Sequence, residues 1–316
     1  MKAIELLTQA LELIAALAAA PLFLGWVNQC RAWLQNRRAP SIWLPYRGIR
    51  KLFHKDAVIA TSASPLFRVA PYIVFGAMVV AAGIIPSMGT RLPFTDAADA
   101  IALVGLLATA RVFLALAAMD IGTAFGTLGA RREMMVGFLA EPALLMVIFV
   151  ASIISATTAL PAITENLATQ TLGLYPSLAF TAIAFTLVLL AENARIPIDN
   201  PATHLELTMI HEAMVLEYSA RHLALMEWAS ALKLFNYACI GFALFIPWGV
   251  STGETTPLGL LASIPLLAAK LLVAGAGLAL IETISAKLRV FRAPEFLAVA
   301  FLLAVLGLLV HLLLGA

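Results

Sequence analysis

An all-α membrane protein of about eight transmembrane helices is the fold class this sequence predicts, and three observations carry the prediction. Hydrophobic residues make up 62% of the 316 residues against 12% charged, and the mean hydropathy is +0.97, well outside the range of soluble domains. Apolar stretches long enough to cross a bilayer recur at about 4–27, 69–90, 100–119, 135–159, 173–191, 226–249, 258–282 and 295–314. Lys and Arg collect in alternate loops. Arg31, Arg37, Arg38, Arg47, Arg50, Lys51, Lys55 and Arg68 follow the first stretch. Arg131 and Arg132, then Arg195 and Arg221, then Lys287, Arg289 and Arg292 continue the series, while the opposite face has Lys2 and Arg91. The positive-inside rule therefore expects both termini outside.

Residues 1–316 read as one integral membrane domain. The first helix begins almost at Met1, spans without help and lacks a small-residue cleavage site, so it is expected to be a retained helix and not a signal peptide. The basic loop 28–68 interleaves Trp33, Trp43, Tyr46 and Phe53 with its cations, and Pro40 and Pro45 prevent one continuous helix. That pattern suits an amphipathic element at the headgroup boundary, with a plain solvated loop as the alternative. The outer connections at about 91–99, 160–172 and 250–257 are short and are expected to be loops. No internal repeat or matched pair of Gly/Pro-broken helices is visible, which counts against a self-sufficient secondary transporter.

The loop 192–224 lies in the stretch AENARIPIDNPATHLELTMIHEAMVLEYSARHLALMEW, from Ala191 to Trp228. Asn200 as cap and Pro201 in the first turn predict a helix running from Pro201 towards Arg221. On such a helix His204, His211 and His222 fall within about 20° of one direction, and Glu206 and Glu217 share the roughly opposite side. Two polar stripes imply a border with water or protein.

Charges at membrane depth cost at least ~2.5 kcal/mol each on insertion scales, so those present need a partner or a function. Glu141 lies inside the fourth predicted helix, Glu192 ends the fifth and Glu227 opens the sixth, with Glu206, Glu212 and Glu217 between the last two. Carboxyls in an apolar setting can exchange protons near neutral pH, so such a row is a feasible relay; structural ion pairs are the simpler alternative. Arg111 and Lys270 are mid-span and expected to face the bundle interior, Lys233 is placed to pair or to snorkel, and Glu12 and Glu282 are expected at the interfaces.

Several classes of chemistry are excluded by pattern. Cys30 and Cys239 stand alone without a C-x-x-C, so this chain alone cannot ligate an iron–sulfur cluster or a nickel–iron centre. His211-Glu212 lacks the second His of a zincin, and the predicted histidine stripe spans too much helix rise for one metal. Phosphate loops, catalytic triads and a charge balance suited to nucleic acid are missing as well, the net charge being +2.

The Ala191–Trp228 stretch closely resembles the family that includes formate hydrogenlyase subunit 4 and hydrogenase-4 component C, relatives of the quinone-proximal membrane subunit of respiratory complex I. PSIWLPYRGIRKLFHK at 40–55, SPLFRVAPY at 64–72, RREM at 131–134, the Glu141-Pro142 pair, Glu206 and Glu217-Tyr218-Ser219 extend the resemblance over nearly the whole chain. It implies a non-redox anchor in the bacterial inner membrane, coupling a peripheral arm to proton translocation within a group 4 [NiFe] hydrogenase-like complex. Expected partners are peripheral hydrogenase-like large and small subunits, iron–sulfur subunits and antiporter-like membrane subunits; [4Fe-4S] clusters and the NiFe centre belong to them. The proton path it implies runs through Glu141, Glu192, Asp199, Glu206 and Glu217; Glu212, Glu227, Arg111, Lys233 and Lys270, read from their depth and charge, are expected to accompany it. Arg37, Arg38, Arg47, Arg195, Asp199, His204, His211 and His222 would face the redox arm. Arg38-Ala39-Pro40 where relatives usually have Arg-Gly-Pro, and Ile198 where the complex I branch usually has Phe, depart from the quinone branch. A quinone-proximal complex I-like subunit, a passive anchor and a standalone cation transporter are the competing functions.

Overall fold

The computed structural model describes residues 2–90, 99–169, 176–199, 210–251, 257–286, 288 and 292–314. Among them the backbone is helical throughout, interrupted by turns and by one isolated bridge between Gly89 and Ser251. Among the described residues seven helices are long and apolar enough to cross a membrane: α1 (Lys2–Leu34), α3 (Pro65–Ile84), α4 (Ala100–Asp120), α5 (Ala124–Ser155), α9 (Ala220–Phe245), α10 (Pro257–Ile284) and α11 (Ala293–Leu314). The apolar α7 (Pro176–Glu192) is shorter, and α2 (Leu44–Phe53), α6 (Leu160–Thr169) and α8 (His211–Val215) connect them. This is the expected all-α membrane architecture of about eight spans.

Local chemistry sets the helix starts. Ser64 Oγ accepts from the Leu66 amide at 3.1 Å with Pro65 in the first turn, which launches α3. Thr123 Oγ1 accepts from Gly126 at 3.4 Å and starts α5, and Ala156 ends that helix in the left-handed region. Pro21, Pro71, Pro142 and Pro265 lie inside spans, where neighbouring helices tolerate them.

Helix α9 is the centre of the bundle, with 78% of its most apolar window buried, against 22% for α11. It packs on α3, α1, α2, α6 and α7; α10 leans on α1, and α11 covers α7 and α5 on the other side. Alanines dominate the contacts, among them Ala81, Ala110, Ala117, Ala140, Ala143, Ala184 and Ala229. Small side chains let backbones approach closely, which is how helices associate where lipid is as apolar as leucine.

Helix α2 is the expected amphipathic element: Pro45 is in its first turn, Ile49 is buried, and Arg47, Arg50 and Lys51 are exposed. Tyr46 donates to the Ala18 carbonyl and Phe53 meets the edge of Trp228, pinning the helix across α1 and α9.

Three expectations need correction. Residues 160–169 form helix α6, because Leu160, Ile163, Thr164 and Leu167 recur at helical spacing and are buried against the bundle. Helix α5 starts at 124 and not near 135, so Arg131, Arg132 and Glu133 sit on its early turns; at ~1.5 Å per residue its 32 residues outrun the ~30 Å hydrocarbon core. Of the helix expected over 201–221, residues 201–209 lie outside the described residues and the rest is interrupted: α8 stops at Val215, and α9 starts at Ala220, whose φ is +47°. Tertiary contacts hold this break. Tyr218 stacks on Phe67 at 4.0 Å and donates to its carbonyl at 3.1 Å, while Ser219 Oγ accepts from the Val58 amide at 2.9 Å and donates to its carbonyl at 2.6 Å. His211 and His222 therefore sit on different helices and share no stripe; His204 lies outside the described residues.

Candidate functional site: one buried arginine shared by three carboxylates

Arg111, near the middle of α4, is 4% exposed and directs each side-chain nitrogen at a different acid. Nη1 donates to Glu141 Oε1 at 2.6 Å, Nη2 donates to Glu192 Oε1, and Nε lies 3.5 Å from Glu133 Oε1. Lys233 Nζ, from α9, meets the second oxygen of Glu192 at 3.0 Å. Four helices thus meet at one ion network: α4 and α9 supply cations, α5 and α7 supply acids. The guanidinium fork suits this arrangement because its donors lie in a fixed plane.

Helix α5 makes room for the network at Gly137, where an added Cβ would lie 2.3 Å from Arg111 Nη1. Gly129, two turns earlier, permits a similar approach of α8, since a Cβ there would sit 2.8 Å from the Ile210 carbonyl oxygen. Tyr237, one turn past Lys233, is fully buried.

Three carboxylates against two cations leave one negative charge in excess when all are ionised. The excess is unevenly sheltered: the Glu192 side chain is 1% exposed, that of Glu141 34%. Glu141 therefore opens towards the outer surface of α5, beside exposed Phe138 and Leu145. A half-open carboxyl at membrane depth calls for a protein neighbour or water, not lipid.

A second ion group joins the loop after α7 to the bundle. Arg195 Nη1 lies 3.2 Å from Glu282 Oε1 on α10, and Arg31 of α1 lies 3.5 Å from Glu282 Oε2. Burial pushes the Arg195 pKa down from its usual value, and Glu282 opposes the shift. The loop is tied further by the Leu288 amide donating to the Pro197 carbonyl at 2.9 Å. Asp199 caps α8: its Oδ2 accepts from the Ile210 amide at 3.2 Å and the His211 amide at 3.1 Å. One short segment thereby connects Glu192, α10 and α8.

The structure gathers Glu141, Glu192, Arg111 and Lys233 from the sequence-derived set into one network. Asp199 and Arg195 hold the adjoining loop, and Glu212 is half-buried on α8. Glu217 and Glu227 are exposed and outside the network, Glu227 lying near Gly48 of α2. Lys270 is elsewhere, donating to the Ile246 carbonyl at 2.6 Å below the Phe242 ring. Glu206, like His204, lies outside the described residues. Arg37, Arg38 and Arg47 are exposed at the α1–α3 connection, and His222 is buried in an edge-to-face contact with Tyr72. His211 is half-buried, and burial lowers its pKa below the usual histidine value, with Glu133 pulling the other way.

Glu12 and Glu282, expected at interfaces, are both 3% exposed. Glu12 Oε1 accepts from the Met88 and Gly89 amides at 3.1 and 2.7 Å, so the carboxyl reaches inward to loose backbone donors. Depth does not single out Glu133, because it precedes the apolar stretch by two residues; only its place in RREM marks it in the sequence. Among the described residues no group of three or more His, Cys, Asp or Glu is arranged to hold a metal ion.

Fold and ionic core together define a multi-pass helical membrane protein with a charged network inside its span. More specifically, the chain belongs to the NADH dehydrogenase family, whose model matches residues 8–313. Hydrogenase-4 component C of Escherichia coli strain K12 is 36% identical over 239 residues, 75% of this chain and 74% of the relative. Formate hydrogenlyase subunit 4 of the same organism is 32% identical over 285 residues, 90% and 92% of the two chains. A chain in the structure of the membrane-bound sulfane sulfur reductase, an archaeal respiratory membrane complex, shares the fold with a TM-score of 0.81 at 21% identity, over 95% of this chain and 97% of that one.

Proposed function

We propose that this chain is the non-redox membrane anchor and proton-coupling subunit of an energy-converting [NiFe] hydrogenase-like complex of the formate hydrogenlyase type. The observation that carries the proposal is the Arg111 network, in which one arginine balances carboxylates from two helices and leaves an excess negative charge at membrane depth. Such a group takes up a proton readily when its surroundings shift slightly, and releases it when they shift back. The family and the two hydrogenase-associated relatives supply the kind of complex. In this account the chain sits in the bacterial inner membrane with both termini periplasmic, and its basic face, with Arg37, Arg38 and Arg47, receives the peripheral redox arm. Iron–sulfur and hydrogenase-like subunits carry the [4Fe-4S] clusters and the NiFe centre, and antiporter-like subunits lie beside α5.

The coupling step is a change of charge at the redox arm that moves the segment 193–199. This segment is continuous with Glu192 and caps α8 through Asp199, so a displacement there changes the Arg111–Glu192–Lys233 contacts directly. The proton then held on the network leaves sideways through Glu141, the member open to a neighbour. Moving one charge against 100 mV needs ~2.3 kcal/mol, equivalent to a pKa change of about two units.

Inverted membrane vesicles containing the intact complex test this. Glu141→Gln and Glu192→Gln should each abolish proton uptake while electron transfer continues. Uptake unchanged in both, with electron transfer intact, would leave only the passive anchor.

A further inference from the structure

We propose that His211 is the proton-delivering group of this site, passing protons from the loop between α7 and α9 to Glu133 through a small hydrated cavity. The inference rests on the proton-coupling function proposed above and names its entry residue.

A cavity of about 40 Å³ lies between α8 and the ion network, lined on its polar side by Arg111, Glu133, His211, Ser230 and Lys233. That volume holds three or four waters at ~10–15 Å³ each, and although apolar side chains such as Val74, Met78 and Leu107 line the rest, these five polar groups supply the partners such waters need. His211 borders this space with Nδ1 fully buried and without a hydrogen-bond partner. A buried ring nitrogen at the polar end of such a cavity is satisfied by water in either protonation state, as a donor when charged and as an acceptor when neutral. The capping bonds from Asp199 to the Ile210 and His211 amides fix the backbone beneath the ring.

Charge arithmetic gives the site its direction. Glu133 from α5, Glu192 from α7 and Asp199 from the preceding loop favour the imidazolium, while Lys233 from α9 opposes it. Arg111 lines the same cavity, and Glu212 is its neighbour on α8. Set against the three acids and two cations of the network, a protonated His211 makes the account neutral, three against three. In the transfer step the Nδ1–H bond breaks, a water passes the proton on, and an O–H bond forms on Glu133. Imidazole and carboxylic acid are then both neutral, and total charge is conserved. The ring regains its proton from the solvent-facing side of α8, where His211 as a residue is half-buried. Burial lowers the affinity of this ring for protons, which suits a group that must give them up.

The test uses the intact complex in inverted vesicles, comparing His211→Gln, His211→Arg, Glu133→Gln, Glu141→Gln and Glu192→Gln. Neither Gln nor Arg exchanges a proton near neutral pH, so both His211 variants should lose proton translocation at least about tenfold, at or below the low end for a positioned proton-transfer group. A structural role would be met by one of the two. If either His211 variant translocates normally while Glu192→Gln does not, the delivery role is wrong and the coupling function survives; if Glu192→Gln and Glu141→Gln are normal as well, both fall. Should the His211 variants fail to assemble, infrared titration of isotope-labelled histidine in the wild-type and Glu133→Gln complexes decides. A ring signal that titrates and shifts in Glu133→Gln supports the proposal, and one indifferent to Glu133→Gln overturns it.

Discussion

Gly137→Ala is the most economical way to disturb the ion network without removing a charge. The new Cβ would lie 2.3 Å from Arg111 Nη1, 2.8 Å from its Cδ and 3.0 Å from its Cζ, whereas ordinary contact begins at 3.4 Å. The guanidinium must therefore retreat by 3.4 − 2.3, or about 1.1 Å, and it is not free to do so cheaply because each of its nitrogens faces an acid. A retreat of that size takes the 2.6 Å contact with Glu141 to about 3.7 Å, beyond hydrogen-bonding distance. Losing one charge-assisted bond costs ~1.5–3 kcal/mol. Gly105→Ala, on the same helix as Arg111, is the matched control, since a Cβ there meets nothing within 4 Å. Thermal unfolding in detergent should show Gly137→Ala destabilised by several degrees and Gly105→Ala at or above wild type. On an Arg111→Ala background the Gly137→Ala cost should vanish, because all three atoms it collides with are gone. Equal stability of the two glycine variants, or an undiminished cost without Arg111, would refute the packing argument.

Other perturbations separate the parts of the network. Glu192→Gln leaves both Arg111 and Lys233 short of a buried counter-charge and should cost ~3–5 kcal/mol in the same unfolding assay, clearly more than Glu141→Gln at the half-open position. Ser219→Ala removes both bonds to Val58 and should speed hydrogen exchange of the Val58 amide with little change elsewhere. His211 contributes to pH dependence with a definite sign. Its folded pKa lies below the unfolded value of about 6.5, so the unfolded chain binds the proton first as pH falls, and stability present above ~6.5 is lost progressively below it. A stability profile in which His211→Gln keeps the full acid-side slope would contradict that assignment.

The spans were legible because each needs about twenty apolar residues, a requirement no other fold class imposes. Arg111, Glu141 and Glu192 were legible for the same reason: a charge inside such a run is conspicuous. Glu133, Glu12 and Glu282 were not, because residues near the end of an apolar run look interfacial, and only tertiary packing decides whether they point inward. Gly137 carried no signal at all, since its importance lies in a neighbour on another helix. The continuous helix expected over 201–221 failed for a related cause. Local propensity favours helix through Glu217-Tyr218-Ser219, but stacking on Phe67 and pairing with Val58 outweigh it.

A redox-triggered infrared difference spectrum of the intact complex in membranes bears most directly on the claim that buried carboxyls change protonation as electrons move. A carboxylic acid signal should accompany reduction and disappear in Glu141→Gln, with electron transfer preserved. A spectrum without such a signal, or one unaltered by Glu141→Gln, Glu192→Gln and Glu133→Gln alike, would mean that the Arg111 network holds the helices together and moves no protons.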